Sequence, residues 1–378
     1  MTPQTPEELA EALGAAAAAG KTITLGGRFS KQHMGGPVAP SAITLTTAGL
    51  RRVLEYEPSD LTISLEAGVP FAELRRLTAE SRQMVPLDPP FSEEGTVGGV
   101  VAANLSGPRR RLYGTARDLV IGMKFATLDG KLVESGGMVV KNVAGLDMAK
   151  LMIGSFGTLA AIAVVNFKLA PMPPCSRSFL LRFASSQAAI SARDAILKSV
   201  LQPAAIDLLN PLAAGWAGQE GYLLAVQAGG NRAVIERYSR ELKEARPVEG
   251  EQEEALWRSI QNFTPQFLAG HPEGAVVRVS GTLTEVQAVL ESMSVAAVAR
   301  AGSGVCYGYF PDGGSAQAWM KEACQRGWRA VIEFAPPAGK EKLDLWPSPG
   351  GELEVMKRVK RMFDPNYLLN RGRLYGRI

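Results

Sequence analysis

Residues 26–36 read GGRFSKQHMGG, directly after a short β-branched run at 22–25. A strand that ends in two glycines followed by Arg, Ser and Lys leaves a loop able to present several backbone N–H groups at once. Such a nest can hold a phosphate without any side chain, although the same glycine pair also suits a plain tight turn. Thr96-Val97-Gly98-Gly99 is a second stretch of this kind. It is expected to open a helix whose first N–H groups point outward as another anion site. Ala102, Ala103 and Asn104 would keep the adjoining face small. Neither stretch has the G-x-G-x-x-G spacing of a dinucleotide fingerprint, and no P-loop is present, which argues against NAD and ATP.

Other residues able to do chemistry are sparse. The histidines are His33 and His271, too few and too distant for a multi-His metal centre. Cys175, Cys306 and Cys324 form no CxxC pair, so they hold neither zinc nor an iron–sulfur cluster, and they suit a reducing cytoplasm. Arg109, Arg110 and Arg111 could pair with phosphate or a partner protein. A solvated basic turn is the favoured reading of that trio.

These residues need elements to hold them. Helices are expected at 5–20, 70–81, 141–151, 185–201, 231–246, 283–299 and 352–363, the first capped by Thr2 or Thr5 and ended by Gly20. The helix at 141–151 would carry Lys141, Asn142 and Asp147. Strands are expected at 22–25, 41–45, 61–66, 119–129 (turning at Asp129-Gly130 into 131–134), 160–169, 179–183, 222–226, 276–280 and 304–310. SGPRRRLYGTARD reads as a polar loop. Between 86 and 171, glycines recur between short Val-, Leu- and Ile-rich runs. Backbone without a Cβ can approach a ligand closely, so this stretch reads as the wall of a large cofactor site. The basic face of 352–363 is expected to be solvated.

At 378 residues the chain can hold two domains, and three prolines between 171 and 174 suggest the boundary. Hydrophobic residues make up 46% and charged residues 21%, a globular composition with a real core. A net charge of +4 is too mild to argue for nucleic acid. Glu7, Glu8 and Glu11 stand where a signal peptide would be positive. The apolar run 151–167 contains Gly154, Ser155, Gly157, Thr158 and Asn166 and is barely long enough to span a bilayer, so it is read as a turn and a strand.

Taken together, GGRFSKQHMGG, TVGGVVAANLSGP, YGTARD, VVKNVAGLDMAKLMIGSFGTLAAI and FDPNYLLNRGR resemble, in this order, the FAD-binding family typified by vanillyl-alcohol oxidase and para-cresol methylhydroxylase (PCMH). Within it they resemble the flavin subunits of bacterial glycolate oxidases. The resemblance implies an α+β fold: a two-subdomain PCMH-type FAD-binding domain at 1–171, a smaller α/β-plait substrate (cap) domain at 172–345, and a tail at 346–378 returning to the FAD domain. It implies FAD contacts at Gly26, Gly27, Arg28, Phe29, Ser30, Lys31, Leu87, Thr96, Val97, Gly98, Gly99, Ala102, Asn104, Gly107, Tyr113, Gly114, Asp118, Gly154, Gly157, Thr158, Leu159, Ile162, Asn370 and Arg373. The family's usual residues are replaced at Leu146, Phe156 and Ala160. His33 lies past the position of covalent attachment, implying non-covalent FAD.

The implied activity is oxidation of a small 2-hydroxy acid, glycolate to glyoxylate. That chemistry needs a carboxylate clamp and a base. Arg278 is the candidate clamp, with His271 or Tyr307 assisting. The implied partners are a sister FAD subunit and an iron–sulfur subunit, in a cytoplasmic complex that touches the inner membrane through those partners. Because histidine is scarce, the alternative is a non-catalytic FAD-binding electron-transfer or scaffolding subunit beside a catalytic sister.

Overall fold

The computed structural model describes residues 1–138, 146–376 and 378. The chain divides into two compact units. The first comprises Met1–Leu105, Thr115–Met172 and Ser348–Ile378; the second comprises Ser106–Gly114 and Pro173–Pro347. Lys141 and Asn142, expected on a helix, lie outside the described residues. The helical turn in that region is Ala149–Met152.

The first unit opens with the helix Pro6–Ala18, where Thr5 Oγ1 accepts from Glu8 N at 3.1 Å and Pro6 occupies the first turn. Its Leu9, Leu13 and Ala16 are buried with Ile23, Leu45, Leu128 and Val164. Ile23–Gly26 pairs in parallel with Ile43–Thr46. A five-stranded antiparallel sheet follows, in the order Val53–Glu57, Thr62–Glu66, Ala161–Lys168, Val120–Ala126, Leu132–Gly136. Ala161–Lys168 is its central strand and is buried along all but its last residue, which explains the unbroken apolar run. Among the described residues no helix is long and apolar enough to cross a membrane. The segment read as a polar loop holds two helical turns, Arg110–Tyr113 and Ala116–Leu119, the second closed by a capping box between Thr115 and Asp118.

The tail belongs to the first unit. The helix Glu352–Phe363 does not present all its basic residues to water: Lys360 is 0% exposed. Its Nζ donates to Thr158 O (2.7 Å), Leu369 O (2.9 Å) and Asp364 Oδ2 (2.6 Å). Asp364 in turn accepts from Leu368 N and Leu369 N. A buried ion pair persists only when its remaining donors and acceptors are satisfied, as here. The knot holds Leu369 beside Ile23 as a parallel bridge.

The second unit is built on an eight-stranded antiparallel sheet ordered Arg246–Val248, Cys175–Phe183, Tyr222–Gly230, Ala205–Leu209, Ala296–Arg300, Val305–Phe310, Ala275–Ser280, Arg329–Phe334. Alternate residues of the sheet form one apolar core with the helices Ser186–Lys198, Arg232–Glu241, Val286–Ser292 and Gly313–Gln325. The helix expected at 283–299 stops at Ser292, and Ala296–Arg300 is a strand. Its neighbours Ala205–Leu209 and Val305–Phe310 pair with it on both sides, and that pairing overrides alanine's helix propensity. The helix expected at 231–246 stops at Glu241, and Arg246–Val248 joins the sheet edge, where Pro247 is tolerated.

Candidate functional site

In the first unit the strand Ile23–Gly26 runs into the first glycine loop. Thr47 N donates to Gly26 O at 2.9 Å and Thr46 Oγ1 to Gly27 O at 2.6 Å, so the carbonyls are engaged from behind. The N–H groups of Gly27, Arg28, Phe29, Ser30 and Lys31 meet no acceptor among the described residues. Phe29 lies in the left-handed region at φ 55°, the alternation of backbone that turns successive N–H groups toward one point. A Cβ on Gly27 would collide with the Thr96 side chain.

Lys31 follows at the end of this nest. It is 9% exposed, and its Nζ donates to Ser30 Oγ at 3.2 Å. Burial lowers it to about 8, with Glu94 pulling weakly the other way. From the tail, Arg373 Nη2 donates to Lys31 O at 2.8 Å, and its guanidinium lies 5.8 Å over the Phe156 ring. Burial lowers Arg373 to about 10. Neither cation has a carboxylate in ion-pair contact among the described residues. Two poorly solvated cations beside open N–H groups form a site for an anion.

The second expected anion site is not available. Val97 N donates to Val69 O (2.9 Å), Gly98 N to Ala67 O (2.8 Å) and Gly99 N to Thr96 Oγ1 (3.2 Å). The opening N–H groups of Val97–Ala103 are therefore engaged by the protein itself. Gly98 serves close packing, because a Cβ there would stand 2.7 Å from Ala67 Cβ.

At the other end of that helix, Asn104 caps it at φ 49°, and its Oδ1 is buried without a partner. The turn 154–157 docks alongside: Gly154 N donates to Val101 O (3.2 Å) and Phe156 N to Ala102 O (2.9 Å). Ser155 Oγ in this turn is also buried without a partner. Unpaired buried polar atoms are costly and mark places where a ligand completes the hydrogen bonding. Ser155 was missed by sequence reasoning. Its signal was its place between Gly154 and Gly157, both at positive φ.

The remaining expected cofactor residues divide. Leu87, Val97, Thr158, Leu159 and Ile162 are buried in the first unit. Asp118 is occupied as a helix cap. Gly107, Tyr113 and Gly114 belong to the second unit. Asn370 accepts from Leu25 N (2.7 Å) and donates to Leu25 O (3.0 Å) and Phe156 O (2.8 Å), tying the first loop to the 154–157 turn. The nest, the two unpaired cations and the orphaned Asn104 and Ser155 atoms fit a flavin dinucleotide. Gly27–Lys31 and Arg373 would hold its diphosphate, and Asn104 and Ser155 its polar edges.

In the second unit, Arg278 and Tyr307 are cross-strand partners. Arg278 Nε is 2.8 Å from Glu333 Oε1, and its Nη1 donates to Ser280 Oγ at 2.6 Å. The proposed clamp is thus already partnered. Burial and Glu333 raise Tyr307 above the ordinary phenol value. His271 joins an aromatic stack with Phe267 (4.4 Å) and Trp216 (5.9 Å), and its Nδ1 meets Phe267 O at 3.0 Å. No group of three or more His, Cys, Asp or Glu suited to a metal occurs among the described residues.

Comparison with known proteins agrees with this reading. The family described as "FAD binding domain" matches residues 1–136, and "FAD linked oxidases, C-terminal domain" matches 339–374. The glycolate oxidase subunit GlcE of Escherichia coli is 32% identical over 289 residues, 75% of this chain and 80% of that one. The glycolate oxidase subunit GlcD of Bacillus subtilis is 29% identical over 48% of this chain and 39% of its own length. The solved structure of p-cresol methylhydroxylase with substrate bound superposes with a TM-score of 0.77, covering 99% of this chain and 88% of that one at 15% identity.

Proposed function

The chain belongs to the family of FAD-binding glycolate oxidase subunits, and from that premise we propose that it is the flavin subunit of a multi-subunit 2-hydroxyacid oxidase. In that role it takes part in the two-electron, two-proton oxidation of glycolate to glyoxylate, and a partner carrying an iron–sulfur cluster receives the electrons. Bound flavin supplies the hydride acceptor; the protein supplies position and electrostatics. The FAD is held non-covalently by the nest of Gly26, Gly27, Arg28, Phe29 and Ser30, by Lys31 and Arg373, and by Asn104 and Ser155. The observation that carries this reading is the pair of carboxylate-free cations at Lys31 and Arg373 beside open N–H groups. Separate GlcE and GlcD subunits among the relatives support a complex. We place that complex in the cytoplasm, reaching a membrane through its partners.

A second reading is a non-catalytic FAD-binding electron-transfer or scaffolding subunit. It is supported by the second unit, where Arg278 is held by Glu333 and His271 is engaged at Phe267 O, leaving no evident base. One experiment separates them. The purified, FAD-loaded chain is mixed anaerobically with glycolate, alone and with its partner subunits. Bleaching near 450 nm by the chain alone supports the catalytic role. Bleaching only with partners supports the second reading. A colourless chain that takes up no added FAD overturns both.

A further inference from the structure

One face of the eight-stranded sheet is covered by helices, and strand alternation sends Asp207, Arg278, Arg300, Tyr307 and Glu333 to the other. Around Tyr307 the charges are not balanced. Arg278 is its cross-strand partner and is paired with Glu333 at 2.8 Å. The Arg300 guanidinium lies 5.7 Å over the Tyr307 ring and is paired with Asp207. A third guanidinium, Arg110, arrives on the short excursion Ser106–Gly114, and its charge also bears on Tyr307.

That excursion is anchored on both sides of Arg110. Arg109 Nε donates to Gln227 Oε1 at 3.4 Å, and the Arg111 side chain lies against Gly302. Arg110 itself donates to Ser106 Oγ at 3.3 Å and has no carboxylate partner among the described residues. Three guanidiniums against two carboxylates leave one positive charge beside a phenol whose hydroxyl has no hydrogen-bond partner among the described residues. One uncompensated cation and one unused hydroxyl donor suit a small monoanion.

We propose that Arg110 and Tyr307 form the binding site for the carboxylate of a small 2-hydroxy or 2-oxo acid. Arg110 supplies the charge, Tyr307 the donor, and the Arg278–Glu333 pair positions Tyr307. The choice of acid rests on the function proposed above; the site itself rests on the charge count. Its role also explains why Arg110 differs from its two anchored neighbours.

The test is calorimetric titration of the FAD-loaded full chain with glycolate, glyoxylate and the uncharged analogue glycolamide. Wild-type protein should bind both acids at least tenfold more tightly than glycolamide. Arg110→Met should weaken acid binding at least tenfold with unchanged melting temperature and flavin content. Arg110→Lys should recover part of the loss, and Tyr307→Phe should weaken binding about threefold to tenfold. Should the Met variant fold poorly, Arg110→Gln gives the same readout. Binding unaffected by Arg110 variants, binding of glycolamide equal to glycolate, or no binding of either acid overturns the proposal. Calorimetry reads the second unit whether or not flavin is retained. Failure of the carboxylate site is therefore distinct from failure of the flavin role, which shows in the visible spectrum.

Discussion

Arg373 Nη2 donates to the main-chain carbonyl of Lys31 at 2.8 Å, across 342 residues of sequence. Two cations from opposite ends of the chain are thereby brought to one place with no carboxylate to neutralise them. Bringing them together is unfavourable until an anion arrives, so the protein's stability and its hold on FAD are coupled.

Gly27→Glu should abolish FAD retention. Its Cβ would strike Thr96, and its carboxylate would stand where the diphosphate is expected. The ratio of absorbance at 450 nm to 280 nm after gel filtration should fall at least tenfold. Stoichiometric yellow protein would contradict the placement of the first loop.

Lys31 gives a pH signature. In the folded chain it titrates at about 8, against 10.5 for an ordinary lysine. Between those values the unfolded chain keeps the proton and the folded chain has lost it. FAD-free stability should therefore rise as pH climbs from about 8 to 10.5, by roughly 3 kcal/mol in total, and be flat below. FAD affinity should move the opposite way, since an anion favours the charged ammonium. Urea unfolding and flavin fluorescence titration across pH 7–10 read the two slopes. Lys31→Met should flatten both, raise FAD-free stability and weaken FAD binding about tenfold or more.

Asn370→Ala removes the bridge from Leu25 to Phe156. It should cost about 1–3 kcal/mol of stability and weaken FAD binding about tenfold, with the loss surviving at temperatures where the variant is fully folded. Equal FAD affinity in the folded variant would remove Asn370 from the site's support.

Lys360→Met leaves the Asp364 carboxylate buried with two backbone donors and no cation. The expected cost is about 3–5 kcal/mol, read by urea unfolding. A double variant with Asp364→Asn should recover part of it.

Much of the fold was legible because its signals are local. Thr5 and Thr96 cap the helices their positions announce, and Asp129-Gly130 turns the expected hairpin with Gly130 at φ 78°. What was not legible depends on distant partners. Ala296–Arg300 reads as helix by composition and becomes a strand through neighbours on both sides. The strand Val53–Glu57 is largely exposed at a sheet edge and carries no burial pattern to read. The helix Val97–Ala103 was identifiable, but the acceptors at Val69 and Ala67 that occupy its first N–H groups are set by tertiary contact. Lys360 looked like one basic residue among several. Its burial follows from Asp364 one turn later and from carbonyls brought in by Thr158 and Leu369.

The bond from Leu25 N to Asn370 Oδ1 spans 345 residues. A ribosome adding about 5–20 residues each second would take roughly 20–70 s to go from one partner to the other. Throughout that interval the emerging glycine loop lacks the side chain that pins it. Flavin capture is thus a late, post-synthetic event, and truncation before the tail should release a polypeptide that never turns yellow.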